Sequence, residues 1–75
     1  MKQLTVSASD CSEEELVRAA GKGGLLIREG RKHVKVKTAD GKFVTTIPRK
    51  KRLKRETVKG IVEELNKAGC NILAV

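Results

Sequence analysis

Aromatic side chains are almost missing from this sequence: Phe43 is the only one, and the 75 residues contain no tryptophan or tyrosine. Modules that read single-stranded bases usually stack them on several aromatic rings, and Phe43 alone cannot form such a platform. Cysteine is nearly as scarce. Cys11 and Cys70 stand near opposite ends, with no further Cys or His spaced to share a metal with them. Two independent reduced thiols are expected, with a disulfide joining the termini as the other reading. No run approaches the length of a membrane-spanning helix, and the opening Met1 to Val6 is too polar and too short for a signal-peptide core. A soluble, cytoplasmic protein without a membrane partner is expected. Paired carboxylates, a Ser/His/Asp set and a metal-ligand cluster are all lacking, so no cofactor or metal is called for. Gly21 to Gly24 lacks the Lys-Ser/Thr and the preceding strand that a phosphate loop requires.

Positive charge, by contrast, is abundant and localised. The stretch from Arg28 to Arg55 holds twelve Lys/Arg and two acids, Glu29 and Asp40, a local net charge of +10 in a chain whose total is +8. The rest of the chain, with five bases and seven acids, is slightly acidic. A field concentrated in this way suits a polyanion, and the only histidine, His33, stands inside it.

One domain, spanning 1–75, is expected at this length, near the size where a single core just suffices. Residues 1–11 could be an edge strand or a loose arm. Ser12 followed by Glu15 reads as a reciprocal capping box opening a helix over about 12–21, with Leu16, Val17, Ala19 and Ala20 as its apolar face and the glycines from Gly21 as its stop. Leu25 to Ile27 is a short apolar run read as a strand. From His33 to Thr38 the period is two: Val34 and Val36 face one way, and His33, Lys35 and Lys37 the other. Asp40-Gly41 favours a type I′ hairpin turn into a strand over Phe43 to Ile47, ended by Pro48. That hairpin should return Pro48-Arg49 beside Arg31-Lys32-His33. Val58, Ile61, Val62, Leu65 and Ala68 form a helical stripe over Lys54 to Lys67, with Gly69 as stop. Gly60 inside this helix costs about 1 kcal/mol relative to alanine and hints at a close backbone approach. Residues 70–75 could add a short strand or fold onto the sheet as an apolar tail. The expected fold is α+β in two layers: α-β-β-β-α, a three-stranded antiparallel sheet with both helices on one face.

His33 is the side chain able to exchange a proton near neutral pH without a large perturbation. The cations Arg31, Lys32 and Lys35 disfavour its imidazolium, leaving a ring able to accept a proton, and a bound phosphate would reverse the bias. Cleavage of RNA without a metal uses such a group: a base takes the proton of the 2′-hydroxyl, that oxygen attacks the adjacent phosphorus, and nearby cations stabilise the extra charge. A lone His at a strand start is also commonly a solvated surface residue. Likewise the run Arg49 to Arg55 reads either as polyanion contact or as a solubilising face.

Taken together, Gly30-x-x-His33 followed by alternating apolar residues, the Asp40-Gly41 hairpin, Ile47-Pro48-Arg49, the basic connection and the Leu53-x-x-x-Thr57-Val58-x-x-Ile61 helix resemble the HicA family of toxin mRNA interferases. The resemblance covers about Glu14 to Gly69. It implies a double-stranded-RNA-binding-domain-like fold, ribosome-independent endonuclease cleavage of mRNA as the toxin of a toxin–antitoxin pair, and a small acidic HicB-like antitoxin covering the active face. By position, Gly30 and His33 match the family's Gly-Ser-x-His, with the His as catalytic group, and Pro48-Arg49 match its Pro-Arg-His. Arg31 stands where the family has Ser, and Lys50 where it has the second His. The expected site therefore has His33 as general base or acid. Gly30, Arg31, Lys32, Lys35, Lys37 and Arg49 lie around the phosphate, and Lys50, Lys51, Arg52, Lys54 and Arg55 lie along the RNA backbone. The rival readings are a noncatalytic RNA- or DNA-binding module using the same face, and half of a protein complex whose basic face meets an acidic partner.

Overall fold

The computed structural model describes residues 3–75; Met1 and Lys2, the tip of the expected N-terminal arm, lie outside the described residues. In chain order the elements are β1 (Leu4–Val6), α1 (Glu13–Lys22), β2 (Leu26–Glu29), β3 (His33–Lys37), β4 (Phe43–Pro48), α2 (Arg55–Lys67) and β5 (Ile72–Ala74). Strands β2, β3 and β4 form an antiparallel sheet in that order. Its inner face presents Val34, Val36 and Ile47, all essentially buried. Leu16, Ala19 and Ala20 of α1 and Val58, Ile61, Val62 and Leu65 of α2 close over them. The two-layer α+β architecture with both helices on one face thus follows from the period-two and period-3.6 patterns together.

The terminal segments do not extend this sheet. β1 and β5 pair with each other in parallel, Leu4 opposite Ile72 and Val6 opposite Ala74, as a separate two-stranded sheet. The side-chain amide of Asn66 fixes β5 against the end of α2, donating to the Ile72 carbonyl at 2.9 Å and accepting from the Ile72 amide at 2.8 Å. Leu53, 3% exposed within the basic connection, pins that segment to the core, and its amide donates to the Cys11 carbonyl at 2.9 Å. Both cysteines are free and buried.

Three local expectations are corrected. Ser12 occupies the N-cap of α1, but no side chain caps it; the Glu13 amide donates instead to the Lys50 carbonyl at 3.2 Å, so the basic connection serves the free helix end. The Asp40-Gly41 turn is not type I′. Within this turn only Gly41 has positive φ, at +90°, while Gly41 donates to the Thr38 carbonyl (2.9 Å) and Thr38 to the Lys42 carbonyl (2.8 Å). That is a three-residue loop closed by a left-handed glycine. Thr38 also donates its hydroxyl to the Asp40 carboxylate, which holds that carboxyl below its ordinary range. Finally, Gly60 approaches nothing: a Cβ there would meet open space.

Candidate functional site

Register places the site. In the β3–β4 ladder His33 pairs with Pro48, Val34 with Ile47, Lys35 with Thr46 and Val36 with Thr45, and then the ladder shifts so that Lys37 pairs with Phe43. In the β2–β3 ladder Leu26 pairs with Lys37 and Arg28 with Lys35. Three cross-strand rows therefore line the face that no helix covers. At one end are His33 and Pro48, in the middle Arg28, Lys35 and Thr46, and at the other end Leu26, Lys37 and Phe43. No acid stands in any of these rows. The expectation that Pro48-Arg49 returns beside Arg31-Lys32-His33 is met directly, since the Arg49 amide donates to the Lys32 carbonyl at 3.1 Å.

His33 itself is exposed at the start of β3. Among the described residues its ring has no hydrogen-bond partner. The turn that delivers it is tight. The Gly30 amide donates to the His33 carbonyl at 2.9 Å, and a Cβ at Gly30 would lie 2.7 Å from that same oxygen, closer than any side chain tolerates. Arg31 and Lys32 occupy the exposed tip beyond it.

Arg49 does not project with His33 onto the open face. Its Nη1 donates to the Gly30 carbonyl at 2.8 Å, and its Nε lies 3.7 Å from Glu13 Oε1 on the helix side. With its side chain 40% exposed and the Glu13 pair long, that ion pair is weak, whereas the bond to Gly30 ties the end of β4 to the β2–β3 turn. Sequence reasoning placed Arg49 near His33 and missed this bond, because no pattern announces a guanidinium bonded to a turn carbonyl.

The remaining cations divide. Lys50 and Lys51, with Arg49, Ser12, Glu13 and Glu14, line an open depression of about 420 Å³ at the N-terminus of α1, where two carboxylates accompany the bases. Arg52 is held at 3.3 Å by Asp10, both exposed, while Lys54 is the N-cap of α2 and Arg55 its first residue. The basic run thus wraps around the end of the sheet nearest His33 rather than covering the open face, where Arg28, Lys35 and Lys37 stand. Neither this depression nor those beside β1 and Glu29 includes His33. No cluster of His, Cys, Asp and Glu able to hold a metal exists among the described residues, and no helix among them is long and apolar enough to cross a membrane.

No protein-family model, no curated protein and no solved structure matches this chain.

Proposed function

We propose that the chain is a small endoribonuclease of the HicA toxin type, cutting mRNA without a metal, with His33 as the proton-transfer group. The observation that carries this reading is the exposed His33 at the end of the open sheet face, in register with Pro48, where the Arg31-Lys32 turn and the start of the basic run meet. A phosphodiester laid there reaches the imidazole, Arg31 and Lys32, with Lys35 next along the strand. His33 takes the 2′-hydroxyl proton as that oxygen attacks phosphorus, and the departing 5′-oxygen takes its proton from water. The surrounding cations offset the charge gathered on the phosphorane.

In this scheme Arg49 first positions the turn through Gly30. A phosphate, which takes a guanidinium in two parallel bonds, outcompetes the long contact to Glu13. Lys50, Lys51, Arg52, Lys54 and Arg55 follow the backbone of the RNA around the end of the sheet. A small acidic HicB-like antitoxin in the cytoplasm is the protein partner such a face calls for.

The second reading is a noncatalytic RNA- or DNA-binding module. It is favoured by the absence of any hydrogen-bond partner for the His33 ring among the described residues and by Arg31 in place of the family's serine. The two separate in one comparison made in excess chelator. On the nuclease reading, wild type cuts single-stranded RNA, and His33→Ala binds it equally but leaves it whole. Wild-type protein that binds RNA and never cuts it decides for the binding module. If 4 to 6 phosphates are neutralised, log affinity for a single strand falls with log salt at a slope of roughly −3 to −4, and a flat response removes both readings.

A further inference from the structure

Simple alternation backwards from the buried Ile47 puts Thr46 outward, Thr45 inward, Val44 outward and Phe43 inward. The protein does otherwise. Between Val36 and Lys37 the β3–β4 register shifts by one residue, so that Val44 and Thr45 together oppose Val36. Val44 packs against the core and Phe43 is turned out, 62% exposed, opposite Lys37. Bulges of this kind re-aim a side chain and are over-represented beside active sites. Here the re-aimed residue is the only aromatic in the chain, and a valine takes its place against the core. Leu26, 53% exposed, lies across Lys37 on its other side. The two apolar side chains flank the Lys37 stem as a ledge on a face whose charged residues, Arg28, Lys35 and Lys37, are all cationic.

We infer that this ledge stacks one unpaired nucleobase on Phe43, while Lys35, Lys37 and Arg28 hold the phosphates leading from it toward His33. This rests on the RNA-directed reading above and adds to it the side chain on which a base of the single strand is stacked. The charge of the face selects the occupant: a second copy of this chain, at net +8, would bring like charge against like, whereas a nucleotide brings an apolar ring and an anion together. His33 and Lys37 are four residues apart on one strand, about 13 Å, which places the stacked base a few nucleotides from the phosphate at His33. Duplex RNA keeps its bases stacked inside and offers Phe43 nothing.

The test uses proteins that all carry His33→Ala, so that RNA stays intact, with a short unstructured RNA and the same sequence as a blunt duplex as probes. Phe43→Ala should weaken single-strand binding by about 5- to 100-fold without changing the salt slope, and should leave duplex binding unaltered. Because the chain has no tryptophan or tyrosine, Phe43→Trp adds a lone reporter. It should keep single-strand affinity, and its fluorescence should be quenched by the single strand and not by the duplex. Unchanged single-strand affinity in Phe43→Ala, an equal loss on both probes, or no quenching at saturation overturns the stacking inference while leaving RNA binding in place. Failure of the parent protein to bind either probe overturns the RNA reading itself. Self-association that Phe43→Ala abolishes would assign the ledge to a second copy and likewise overturn the inference.

Discussion

Arg49 donates from Nη1 to the carbonyl of Gly30 at 2.8 Å, joining the end of β4 to the turn that launches β3. Because Gly30 also donates to the His33 carbonyl, one guanidinium steadies the backbone from which the imidazole projects. Arg49→Gln removes that bond at a cost of about 0.5–1.5 kcal/mol. The Gly30 amide should then exchange with solvent about 2- to 10-fold faster. Glu13→Gln, which removes only the long exposed ion pair, should leave that rate nearly unchanged. Equal exchange in Arg49→Gln and wild type would dismiss the clamp.

Gly60 gives a prediction of opposite sign. It lies mid-helix in α2, exposed, with open space where a Cβ would stand. Gly60→Ala should therefore stabilise the fold by about 0.5–1 kcal/mol, raising the urea midpoint at unchanged denaturant slope. A lower midpoint would mean that the glycine serves a contact the structure does not contain.

Alkaline pH should act through Cys11. Burial first, and the neighbouring Glu15 second, push its thiol from 9.0 up to about 11. The unfolded chain loses this proton at lower pH than the folded one. Stability from this group is therefore intact below pH 9 and is lost as pH rises toward 11. The drop in urea midpoint between pH 8 and pH 10.5 should be smaller in Cys11→Ala than in wild type, and a thiol reagent at pH 8 should not label the native protein at this site. Rapid native-state labelling of Cys11 would contradict the burial.

Much of this architecture was legible because its signals are local. Val34 and Val36 alternate with charged neighbours, Asp40-Gly41 marks the hairpin, and the return of Pro48-Arg49 to His33 follows from any antiparallel hairpin between them. Pairing of β1 with β5 was not legible: two three-residue strands at opposite ends of the chain carry no pattern that names their partner or direction. Alternation also misplaces Phe43 and Val44, since a single-residue bulge exchanges inside for outside and the sequence around it does not mark where it falls. At the site, the sequence indicates that His33 is exposed among cations. It does not indicate that Arg49 turns away to Gly30 and Glu13, or that Arg52 is drawn to Asp10, because such choices are made by geometry across distant segments.

The nature of the RNA ends tests the central claim most directly. Attack by a 2′-oxygen with His33 as base must leave a 2′,3′-cyclic phosphate on one product and a 5′-hydroxyl on the other, in excess chelator as without it. Those ends, formed by wild type and absent with His33→Ala, are the expected result. A 5′-phosphate with a free 3′-hydroxyl, or identical cleavage by His33→Ala, would contradict it.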